Sequence, residues 1–98
     1  MDKKYAAQEA ITHSMMGSLG LKLIEEKEGF IRASMPVNDN TSQPFGVLCG
    51  GASLAFAEII AGYGSYLCCP EGFIPVGSSV SGNHVSSVRK APDVWVYA

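Results

Sequence analysis

The sequence predicts an α+β domain in which one long helix packs against an antiparallel sheet, and three observations point to it. The stretch VLCGGASLAFAEIIAGYGSYLCCP, from Val47 to Pro70, carries a single charge, Glu58, and is long enough for a buried helix of about four to five turns. From Gly20 the apolar period shifts from helical spacing towards two, the signature of strands. The elements then follow as helix, two strands, long helix, two strands, which fits one helix laid on an antiparallel sheet.

Taken in order, Asp2 can cap a first helix running to about Ser14, with Ala6, Ala7, Ala10 and Ile11 as helix formers and apolar face. LKLIEE, a turn at Lys27 to Gly29, and FIRASM read as a hairpin ended by Pro36. Residues 36–46, PVNDNTSQPFG, are dense in turn formers and make a loop before the long helix. After that helix, PEGF is a turn, and Ile74 to Val85 reads as a strand whose many small residues let something pack closely on it. Ala91-Pro92-Asp93 interrupts the chain, and VWVYA begins a further strand. No repeats or low-complexity tracts divide the chain, so residues 1–98 are expected to form one domain.

Composition narrows the function classes. A chain of 98 residues, 47% hydrophobic and with net charge −2, is expected to be soluble with a modest core. It has no Lys/Arg cluster from which to draw phosphate affinity, so no nucleic-acid partner is expected. The polar start DKKYAAQEA is unlike a signal peptide. Glu58, with Gly50, Gly51, Gly62 and Gly64, makes the long helix a poor membrane span, and the expected location is cytoplasmic. Three cysteines without CxxC spacing suit a reducing compartment, with Cys68 and Cys69 as packing residues. His13, His84 and the scattered cysteines give no ligand spacing, so neither a metal nor another cofactor is expected.

The chemistry gathers at two points of the long helix. A lone carboxylate at Glu58 is expensive to desolvate, by several kcal/mol, so it either serves a function or sits at a solvated helix edge. A helix beginning at Gly50 and Gly51 offers unpaired N–H groups and roughly half a positive charge, enough to polarise a carbonyl and hold an oxyanion. Glycine there admits a substrate close to the backbone. Eight residues separate Gly50 from Glu58, about 12 Å along the axis, so one helix cannot bring both to one carbon. A second copy lying antiparallel across a two-fold axis closes that gap and gives a dimer with two equivalent sites.

QPFGVLCGGASLAFAEIIAGYGSY followed by PVGSSVSGNHVSSVRK resembles the hot-dog-fold acyl-CoA thioesterases of the aromatic type, with loop, helix and following strand matching in order and spacing over about residues 10–90. The resemblance implies an antiparallel sheet wrapped around the long helix. It implies hydrolysis of acyl-CoA, with aryl thioesters such as 1,4-dihydroxy-2-naphthoyl-CoA (a menaquinone precursor) or phenylacetyl-CoA favoured. It also implies a homodimer, or a tetramer built as a dimer of dimers, with sites between subunits. By the same resemblance Glu58 is the catalytic acid, as nucleophile or general base. Gly50 supplies the polarising amide, and Gln43 positions the thioester. Cys49, Gly51 and Gly62 line the substrate site, while Asn83 and His84 lie near the pantetheine and nucleotide of coenzyme A.

The sequence departs from that pattern at Cys49, where the family carries His, and at Gly62, where it often carries Ser or Thr. It also ends about forty residues short, inside what the resemblance implies is an inner strand, as a truncated or frame-disrupted member would. Two other readings therefore stand beside the hydrolase: a non-catalytic acyl-CoA binder or inactive remnant, and a cysteine enzyme using Cys49, whose thiol sits at a helix N-terminus. Gln43 reads equally as a loop hydrogen-bonder, His84 as a structural residue, and Arg89-Lys90 as a solvated pair or as phosphate contacts.

Overall fold

The computed structural model describes residues 3–98, and Asp2, the expected cap, lies outside them. Helix α1 spans Lys3–Thr12, two residues short of the expected end. Ser14 caps a separate short helix α2, Met15–Ser18, by accepting a hydrogen bond from the Met16 N–H at 3.2 Å. A serine hydroxyl competes well for an orphan amide, so it starts a new turn instead of extending the old one.

The hairpin forms as expected. Strand β1, Lys22–Lys27, pairs antiparallel with β2, Phe30–Pro36, around a Glu28-Gly29 turn. Leu23 faces Ala33 and Glu25 faces Arg32, so Ile24 is an extra residue bulged out of β1 and left 45% exposed. Strand β3, Trp95–Tyr97, joins the other edge of β2, giving the order β1-β2-β3. Ala33 and Ala98 exchange both backbone bonds just beyond it.

Helix α3, Gly50–Cys68, lies against β2. Its buried residues, Phe56 and Ile60, meet Met16, Leu21, Ala33 and Met35 in one apolar cluster. Ala33 and Met35, alternate residues of β2, have no exposed surface at all. The expected buried helix is thus buried along one stripe only, and Cys68, expected to pack, is exposed at its end. Among the described residues no helix is long and apolar enough to cross a membrane.

The expected strand from Ile74 to Val85 is not formed. Strand propensity is realised only beside a partner ladder, and this segment lies on α3, where no backbone partners are offered. Pro75 lacks an N–H, and the apolar residues Ile74, Val76 and Val85 stay largely exposed. The small residues do what their size suggested, letting the segment approach a neighbour closely.

Candidate functional site

A single stripe of α3 carries three of the candidate residues, because Gly50, Glu58 and Gly62, with Leu54 between the first two, recur at four-residue steps. The segment 75–84 runs antiparallel over this stripe as a strap. Its Gly77 lies against the Glu58 carboxylate, so close that a β-carbon at residue 77 would collide with Oε1. A β-carbon on Gly82 would stand 3.1 Å from Leu54 Cδ2, and one on Gly50 would stand 2.8 Å from His84 Nε2. Glycine at these crossings lets the strap lie this close without displacing the Glu58, Leu54 and His84 side chains.

Glu58 is half-buried and opens onto two clefts, one on each side of the strap. The first, about 270 Å³, is bounded by Ala61, Gly62, Ser65 and Val76, and the second, about 340 Å³, by Met15, Leu54, Ile59 and Ser78. Gly62, without a side chain, leaves open space one turn from the acid. Because the strap covers the stripe, an antiparallel partner helix cannot lie directly along it. Access to Glu58 is from the flanks.

At the other end of the stripe, Cys49 is the N-cap of α3 and gives no side-chain cap bond. The first bonds of the helix run from the Ala52 and Ser53 amides to the Cys49 carbonyl, at 3.0 and 3.3 Å, so the Gly50 and Gly51 amides head the helix ahead of them. The Cys49 thiol is half-buried, with its Sγ 3.8 Å from where a β-carbon on Gly51 would stand. His84 sits on Gly50, and Asn83 beside it is exposed. The structure thus brings Gly50, Gly51, Cys49 and His84 together, with Glu58 and Gly62 two turns or more away. Gln43 belongs to its own loop: its side-chain Oε1 accepts from the Phe45 amide at 3.0 Å.

What holds the helix head in place was not visible in the sequence. Thr41, only 1% exposed, donates its hydroxyl to the Pro36 carbonyl at 2.7 Å and accepts from the Asn38 amide at 3.0 Å. Its carbonyl in turn accepts from the Cys49 amide at 2.9 Å. Leu48 is pinned by its amide to the Val88 carbonyl, and Val47 bridges Arg89. Lys90 binds Asp39 at 2.6 Å, and that hydrogen bond, aided by the lysine's charge, holds the Asp39 carboxyl below its ordinary range. Lys90 thus forms an exposed ion pair with Asp39.

One long helix laid on an antiparallel sheet is the architecture of the hot-dog thioesterase fold. The chain belongs to the thioesterase superfamily, whose family model matches residues 45–98. It is 39% identical over 77 residues to the 1,4-dihydroxy-2-naphthoyl-CoA hydrolase of Escherichia coli, covering 79% of this chain and 57% of that protein. It is 34% identical over 92 residues to the proofreading thioesterase EntH of Cronobacter turicensis, covering 90% of this chain and 67% of that one. The crystal structure of a thioesterase from Haemophilus influenzae superimposes with a TM-score of 0.83 at 35% identity, covering 99% of this chain and 66% of that one. Against its relatives in Haemophilus and Escherichia, the chain spans little more than half of their length, 56% and 57%.

Proposed function

We propose that the chain hydrolyses acyl-CoA thioesters, aryl-CoA in preference to long-chain acyl-CoA, in a site shared between two subunits. The observation that carries this reading is Glu58: the one carboxylate of α3, half-buried under Gly77 yet open to a cleft on either side. The Gly50 amide of one subunit binds the thioester oxygen, and Glu58 of the other reaches the carbonyl carbon from a cleft. As nucleophile, Glu58 forms a mixed anhydride, and the C–S bond breaks to release coenzyme A, whose sulfur takes up a proton. Water then cleaves the anhydride to the free acid. As general base, Glu58 instead takes the proton of the attacking water in one step. His84 lies at the Gly50 end, with Asn83 towards the coenzyme, and Gln43 helps to position the thioester from the loop before α3. The aryl preference rests on similarity to the Escherichia coli hydrolase named for 1,4-dihydroxy-2-naphthoyl-CoA.

Glu58→Gln tests the proposal on a panel of aryl- and alkyl-CoA thioesters. Turnover is expected to fall by several orders of magnitude while affinity for a non-hydrolysable thioester analogue is kept. Near-native turnover by that variant on every thioester the wild type cleaves would overturn it. Cys49→Ser separates the cysteine reading, because most activity is expected to survive that change.

A further inference from the structure

We infer that Thr41 is a positioning residue for the amides at the head of α3, setting where the Gly50 and Gly51 N–H groups point. This rests on the reading of the Gly50 amide as the donor to the thioester oxygen. The loop between β2 and α3 is rich in Asn, Ser, Pro and Gly over residues 38–46, and backbone bonds from Gln43 to Val47 and from Lys90 to Gly46 hold its far half. Thr41 ties its near half to the end of β2. Its single hydroxyl proton goes to the carbonyl of Pro36, a residue in the ladder with Trp95, and its lone pair takes the Asn38 amide. Its own carbonyl then takes the Cys49 amide, one residue before Gly50. Three hydrogen bonds therefore link the end of β2 and the start of the loop, through one side chain and its backbone, to Cys49, the N-cap of α3.

The hydroxyl matters more than the shape. Valine at this position fills the same volume but leaves the Pro36 carbonyl and the Asn38 amide without their partner at a site only 1% exposed, so the loop must move to rehydrate them. A displacement of an ångström or less at the helix head is enough to spoil hydrogen bonding to a developing oxyanion.

The test compares Thr41→Val with Thr41→Ser, which keeps the hydroxyl. In Thr41→Val the amide resonances of Gly50 and Gly51 are expected to shift, and kcat to fall roughly tenfold to a hundredfold with little change in KM, less than the loss of a whole oxyanion donor. Thr41→Ser is expected to keep both near wild type. Unshifted glycine amides in folded Thr41→Val, or shifts in Thr41→Ser as large as in Thr41→Val, would overturn the inference. Should Thr41→Val not fold, Thr41→Ser decides alone, since a role carried by the methyl group would move the amides there too. The amide resonances need no turnover, so they judge Thr41 even if Glu58→Gln proves the reaction wrongly assigned.

Discussion

Tyr63 shows how strongly one neighbour sets a side chain's chemistry. Its hydroxyl lies 3.3 Å from Glu26 Oε2 on the neighbouring hairpin. Burial first, and the Glu26 carboxylate second, push its ionisation up to about 12 from an ordinary 10.0. The folded chain therefore holds this proton more tightly than the unfolded one. Its contribution to stability is complete below pH 10 and is lost as pH rises towards 12. An ultraviolet titration of the four tyrosines should show one ionising near 12, and Tyr63→Phe should remove that step and leave the others. Residues of this kind differ in how far the sequence reveals them. Glu58 was legible because it is the lone charge in a long apolar run. Thr41 was not, because a buried hydroxyl and a solvated one look the same inside a loop of Asn, Ser and Pro.

At the scale of elements, the hairpin and the long helix were legible because their patterns are local: period two around a glycine turn, and an apolar run headed by two glycines. The segment 74–85 was not, since whether alternating residues become a strand depends on a neighbour that no local pattern contains. Its glycines, however, marked a close approach, and that approach can be tested. Gly82→Val should press on Leu54 and lift the strap, so that the backbone and side-chain resonances of Leu54 and of residues 77–84 shift while those of β1 and β2 stay in place. Unshifted Leu54 and strap resonances would mean that the crossing at Leu54 holds nothing. Deep in the core the cost is larger and differently placed: Phe56, 3% exposed, would lose about 3–5 kcal/mol on truncation to alanine.

For the molecule as a whole, the distance between Gly50 and Glu58 requires a partner if both act on one carbonyl. Phe73, Ile74, Val76 and Val85 are also exposed. Mixing a Glu58→Ala chain with a Gly50→Pro chain, which lacks the head amide, should restore part of the activity. One of the two hybrid sites would then combine an intact amide with an intact acid. Light scattering should show at least a dimer at working concentration. A stable, active monomer would contradict the shared site. The proposal of two chains comes from the spacing, whereas the strap over the helix stripe could not be read there, since it depends on where a later segment comes to rest.

The four-residue stripe also fixes which insertions and deletions the chain tolerates. One residue added between Gly50 and Glu58 would turn everything beyond it by about 100° around the helix axis, carrying the acid out from under Gly77 and away from both clefts. The same residue added to the strap between its crossings at Gly77 and Gly82 could loop outward into solvent and leave both contacts in place. Length variation is therefore confined to the covering segment, while the helix beneath it has to keep its count.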